Sequence, residues 1–142
     1  MTRFEIEGLG LDLEGARMHL ELASRYLREA EECLEKGDSV QACEKLYKVA
    51  EECVKAMSIA LKLEEAEEAK RKGKWNLKLL DLAAKKLAEK INERIYDDWD
   101  HAYFLHVEGF HEARLSLEQV KARIKYVKEL FEIAKNILQQ GT

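Results

Sequence analysis

Proline is missing from all 142 residues of this chain, and glycine appears only seven times. Average usage would supply about seven prolines. Their absence excludes proline-rich linkers and collagen-like repeats, and the shortage of turn formers argues against loop-rich β architectures. Cysteine is scarce and odd in number: Cys33, Cys43 and Cys53. Residues 1–10 lack the apolar stretch of a secretory signal, and an odd count without one argues against a disulfide framework. No Cys-x-x-Cys pair occurs, so neither a zinc site nor any other cofactor is expected. The three thiols are read as small buried apolar groups. Cys33 and Cys43 stand equidistant from a turn at Gly37-Asp38, which leaves a bridge between them open. No apolar run approaches the roughly 20 residues of a membrane span. No membrane contact is expected, and the expected location is the cytoplasm.

What remains is helix-forming material. Apolar residues make up 46 % and charged residues 37 % of the chain. That is too apolar for disorder, and Ala, Glu, Lys, Leu and Arg dominate. The net charge of −4 hides an asymmetry. Residues 1–68 hold 17 acids against 9 bases, whereas residues 69–142 hold 11 against 15. A polyanion would therefore meet the second half.

Residues 13–36 carry Leu13, Ala16, Leu20, Ala23, Leu27, Ala30 and Leu34 at alternating steps of three and four, one face of a helix. Gly37 takes the left-handed conformation that ends a helix, and Asp38 or Ser39 can cap the next. Two long helices joined so tightly fold back on each other. The second runs from about residue 39 into the low sixties, with Cys43, Leu46, Ala50, Cys53, Met57 and Ala60 as its stripe. Tyr47, Val54 and Leu61 widen that face toward a second neighbour. An acid run, Glu64 to Glu68, precedes a basic run, Lys70 to Lys74, with helix expected to about Ala69 and a break at Gly73. Asn76 can cap a third helix led by Leu80, Ala83, Leu87 and Ile91. A kink near Asn92–Asp98 then leads to an aromatic face: Tyr96, Trp99, Tyr103, His106 and Phe110. Ser116 with Gln119 forms a capping box that opens the last helix. The expected fold class is all-α, an antiparallel up-and-down bundle of four to five helices. Residues 1–12 are read as an N-terminal extension and 13–139 as one helical-bundle domain. Ala23 to Ala50 also looks like one tetratricopeptide repeat. No second copy follows, and one repeat cannot bury its own face.

Three segments in order carry a family resemblance: Leu34–Met57, Trp75 after its basic turn, and Ala102–Glu112 with His106 and His111. Together they resemble the archaeal PaREP family of small paralogous proteins, which is placed in the HEPN-like superfamily of helical bundles. The resemblance implies a HEPN-like homodimer. Many HEPN proteins are ribonucleases or partners in toxin–antitoxin pairs, whereas the PaREP branch implies a fold more than an activity.

HEPN ribonucleases use an arginine followed after four to six residues by a histidine. Arg94 and His101 have six residues between them, nearly two helical turns, so they share a face. Cleavage through the 2′-hydroxyl of RNA needs a proton carrier, the role of His101. It also needs a cation for the developing phosphorane charge, the role of Arg94, and no metal. The pattern departs from active members at Ile95, where a polar residue is usual. Asp97, Asp98 and Asp100 would also repel an RNA backbone. His106, Glu108 and His111 are candidates to line a dimer cleft. Asp98 with His101 and Glu108 with His111 match the carboxylate–histidine step of di-iron bundles, but both fall on one expected helix. Lys86, Lys90 and Arg94 form a basic stripe. With Lys70, Arg71, Lys72, Lys74 and Trp75 they could hold phosphate and stack a base. Lys74, Trp75, Lys86 and Lys90 are the nucleic-acid-binding candidates. The expected function is a homodimeric module that binds RNA or nucleotide or serves in assembly. The alternatives are a metal-independent endoribonuclease and an antitoxin-like interaction module, which would expose a large apolar face on the first or second helix.

Overall fold

A computed structural model describes residues 13–140, and every regular element among them is helical. Six α-helices, α1 (Glu14–Glu35), α2 (Ser39–Ala60), α3 (Glu64–Lys72), α4 (Leu77–Lys90), α5 (Arg94–Phe104) and α6 (Leu117–Gln140), are joined by one π-helical turn at Leu105–His111 between α5 and α6. The expected extension, residues 1–12, lies outside the described residues. No described helix is long and apolar enough to cross a membrane.

The first hairpin follows from its residues. Gly37 has φ +78°, and the Asp38 N–H returns 2.8 Å to the Cys33 carbonyl, which closes α1. The Asp38 carboxylate then accepts from the Gln41 N–H at 3.0 Å and starts α2. Along the seam α1 contributes Ala16, Ala23 and Ala30, all fully buried, so the two backbones pack closely. α2 is the central element and touches every other described helix and the π-turn. It buries Leu46, Val49, Val54 and Met57 completely. Each such side chain contributes about 1.5–3 kcal/mol. All three cysteines are free thiols, Cys43 and Cys53 buried and Cys33 half-buried.

The count of six exceeds the expected four to five because the chain breaks earlier than its acid run suggests. Lys62 adopts φ +55°, and the Leu63 N–H closes back to the Ser58 carbonyl at 3.0 Å. This turn ends α2 and drives Leu63 into the core. α3 then starts afresh, with Glu64, Glu65 and Glu67 in its first turn and Lys70, Arg71 and Lys72 in its last. That polarity complements the helix dipole at both ends. Asn76 caps α4 through the Leu79 N–H at 2.9 Å. The box opening α6 is reciprocal: Ser116 N–H donates to Gln119 at 2.8 Å, and Gln119 N–H to the Ser116 hydroxyl at 3.2 Å.

Candidate functional site

Arg94 and His101 both turn from α5 toward α6. The Arg94 guanidinium donates to Glu129 at 3.0 Å and to Asp97 at 3.2 Å, and lies 3.6 Å from Asp98. Three carboxylates thus share one cation. Asp98 is fully buried, and neither of its oxygens receives a hydrogen bond. Burial, then the hydrogen bond and negative charge of Glu129, push the Asp98 carboxyl up to about 8. The same contact, with Arg94, holds Glu129 below the usual carboxylate range despite some desolvation. At neutral pH the proton therefore sits on Asp98, which donates to Glu129. His101 stacks on Tyr126 with ring centroids 3.6 Å apart. Burial and the nearby Arg123 hold it below the ordinary imidazole value, so it is neutral at pH 7. The pair anticipated from spacing is real as a shared face. Its cation, however, is already compensated by Asp97 and Glu129.

The aromatic face converges on Tyr47 of α2. Trp99, 1 % exposed, lies 5.7 Å from the Tyr47 ring, and Tyr103 lies 6.4 Å away. Trp99 and Tyr96 both donate to Asp81, the indole at 3.1 Å and the phenol at 3.1–3.2 Å. Trp99 is core, while Tyr96, Tyr103 and Phe110 are partly buried against it. His106 stacks on Tyr47 at 3.9 Å. Its Nε2 is 3.1 Å from Nε2 of His111, and its Nδ1 is 3.4 Å from a Glu44 oxygen. Burial lowers its pKa, with His111 adding to the shift and Glu44 opposing it. Of the three cleft candidates, His106 and His111 meet. Glu108 instead lies 3.6 Å from Arg114.

A third locus is concave. A cavity of about 560 Å³ opens where the end of α2, α3 and the α3–α4 turn meet. Lys62, Lys70, Lys74, Glu67, Gly73 and Trp75 line it, with small apolar groups. This is within the range of small-ligand sites. Two helix ends shape the rim. Gly73 takes φ +78° at the end of α3, and Lys62 occupies the corresponding left-handed position after α2, where glycine is usual. Lys70 and Lys74 are exposed, and among the described residues no carboxylate pairs with either of them or with Lys62, so the cavity lining holds three lysines and one carboxylate, Glu67. The half-buried indole of Trp75 supplies a flat apolar wall. Lys74 and Trp75 were anticipated from the sequence. Lys86 and Lys90 do not line the cavity, and Lys86 is held 2.8 Å from the buried Glu65. Lys62 was missed. Its signal is a lysine where α2 must end, 12 residues before Lys74. Among the described residues no group of three or more His, Cys, Asp or Glu side chains is arranged to hold a metal ion.

These features define an all-helical protein with a cationic, indole-walled cavity and a π-helical turn against its central helix. The chain belongs to the archaeal PaREP1/PaREP8 family, whose model matches residues 18–131. It resembles a crystal structure of a Sulfolobus solfataricus protein with 44 % identity and a TM-score of 0.77, over 82 % of this chain and 96 % of that one. A solution structure of the same structural-genomics target gives a TM-score of 0.74 at 44 % identity, over 83 % and 92 %. A segment of 55 residues is 38 % identical to a protein named elongation factor P from Acaryochloris marina. That stretch spans 39 % of this chain and 29 % of the curated relative.

Proposed function

We propose that this protein is a HEPN-like bundle, formed by residues 13–139, that pairs as a homodimer and binds RNA or a nucleotide. The observation that carries the binding is the cavity of Lys62, Lys70, Lys74 and Trp75. A phosphate needs cations that no protein carboxylate has claimed, and a base needs a flat face to stack on. This cavity offers both. The family relationship supports the HEPN-like fold and the pairing. An interaction module would be favoured by a broad apolar face on α1 and α2. Among the described residues of those helices, Met18 is the one large apolar side chain that is exposed.

Trp75 provides the readout. Nucleoside mono- and triphosphates and a short single-stranded RNA are titrated while indole emission is followed, with buried Trp99 as the internal reference. Binding quenches wild type, and replacing all three lysines by glutamine weakens it at least tenfold. Unchanged emission with every ligand overturns the reading. Sedimentation of the same samples reads the pairing.

The ribonuclease reading keeps one specific support: neutral His101 shares the α6-facing side of α5 with Arg94. It requires RNA cleavage in excess EDTA that Arg94→Ala and His101→Ala both abolish. Equal background in all three proteins rejects it.

A further inference from the structure

We propose that His106 and His111 form a two-histidine chelate for a divalent transition ion of the zinc or copper type. The inference is independent of the cavity at Trp75. On an α-helix, side chains five residues apart point about 140° away from each other. The π-helical turn Leu105–His111 holds one more residue per turn, which brings position 111 back beside position 106. The result is the 3.1 Å separation of the two Nε2 atoms. Two imidazole nitrogens bound about 2.0–2.1 Å from one ion stand roughly 2.9 Å apart at a right angle and roughly 3.4 Å apart in a tetrahedron. The observed spacing falls between these limits.

The surroundings suit that role. The other nitrogen of His106, Nδ1, faces the Glu44 carboxylate at 3.4 Å. The two do not meet hydrogen-bond geometry, but the negative charge of Glu44 beside the ring favours a cation held on its far side. Tyr47 covers one side of the His106 ring at 3.9 Å and fixes its plane. His111 is exposed and can turn its lone pair to an incoming ion. Gly109 lets this turn lie against α2. A Cβ there would sit 2.2 Å from Cys43 Sγ, so the π-turn is held in place by a contact only glycine permits. Among the described residues no third protein ligand joins the pair, so water would complete the coordination. The other described histidines are committed elsewhere, His19 to Glu52 and His101 to the face of Tyr126.

The test is calorimetric titration of the whole chain with Zn²⁺ and with Cu²⁺ at pH 7.5. His111→Ala removes an exposed ligand and leaves the core intact. His106→Phe keeps the stack on Tyr47 and removes the other ligand. Wild type is expected to bind one ion per chain, Cu²⁺ more tightly than Zn²⁺. Each variant should weaken binding at least tenfold, and affinity should fall as the pH is lowered and protons compete. No binding by wild type, or equal binding by wild type and a folded His111→Ala, overturns the assignment and leaves the pair as a hydrogen bond between imidazoles.

Discussion

The most consequential single residue at the α5–α6 contact is Asp98. It is the buried member of a group in which Asp97, Asp98 and Glu129 all approach Arg94. Folding raises its carboxyl from 3.8 to about 8. Between those values the folded chain holds a proton that the unfolded chain has released. Its contribution to stability is complete below pH 3.8 and is lost as pH rises through about 8. Asp98→Asn removes that dependence and can still donate to Glu129. In urea denaturation the variant should gain on wild type as pH rises from 5 to 8.5. At the upper end it should be about 1–3 kcal/mol more stable. A variant less stable than wild type at pH 8.5 would show that Asp98 is needed as an anion. Spacing made Arg94 and His101 legible as a pair, since a short step along one helix fixes a shared face. Their partners were not legible. Glu129 lies 35 residues away from Arg94, and nothing local in the sequence brings them together.

At the scale of elements, helix starts were read more faithfully than helix ends and interiors. Asp38, Asn76 and the Ser116–Gln119 box cap as their side-chain chemistry requires. Each is a contact between residues three apart. The stretch 105–111 was expected to continue as α-helix because His106 and Phe110 keep the four-residue step. The π-turn is decided by a long-range fit, the approach of Gly109 to Cys43, which periodicity does not encode. Gly109→Ala tests that fit. Its methyl would lie 2.2 Å from Cys43 Sγ and 2.8 Å from Cys43 Cβ. Both atoms belong to a fully buried residue on the central helix, so neither can withdraw easily. The substitution should cost about 2–4 kcal/mol in chemical denaturation. Adding Cys43→Ala should recover part of that loss, because it removes the nearer atom. Full stability in Gly109→Ala alone would mean that the turn does not depend on this contact.

Across the whole molecule the charge asymmetry is legible in composition, but the surface it produces is not. The sequence directed a polyanion to residues 69–142, and Lys70, Lys74 and Trp75 lie there. Lys62 comes from the acidic first half and joins them only because α2 ends in a left-handed turn. Lys86, in the basic half, is withdrawn by Glu65. Three lysines without an ion pair among the described residues set a quantitative expectation for salt. Each phosphate neutralised on a single strand contributes about 0.7 to the slope of log affinity against log salt. Three contacts give a slope near 2, so raising salt from 0.05 to 0.5 M should weaken binding of a short single-stranded RNA about 100-fold. Removing Lys62, Lys70 or Lys74 singly as glutamine should lower the slope by about 0.7 each. Lys86→Gln should leave it unchanged, because that ammonium is already held by Glu65. Trp75→Phe should weaken binding at every salt concentration without altering the slope, since stacking releases no counterions. A slope that responds to Lys86 and ignores Lys62 would move the binding surface off the cavity and onto the exposed side of α4.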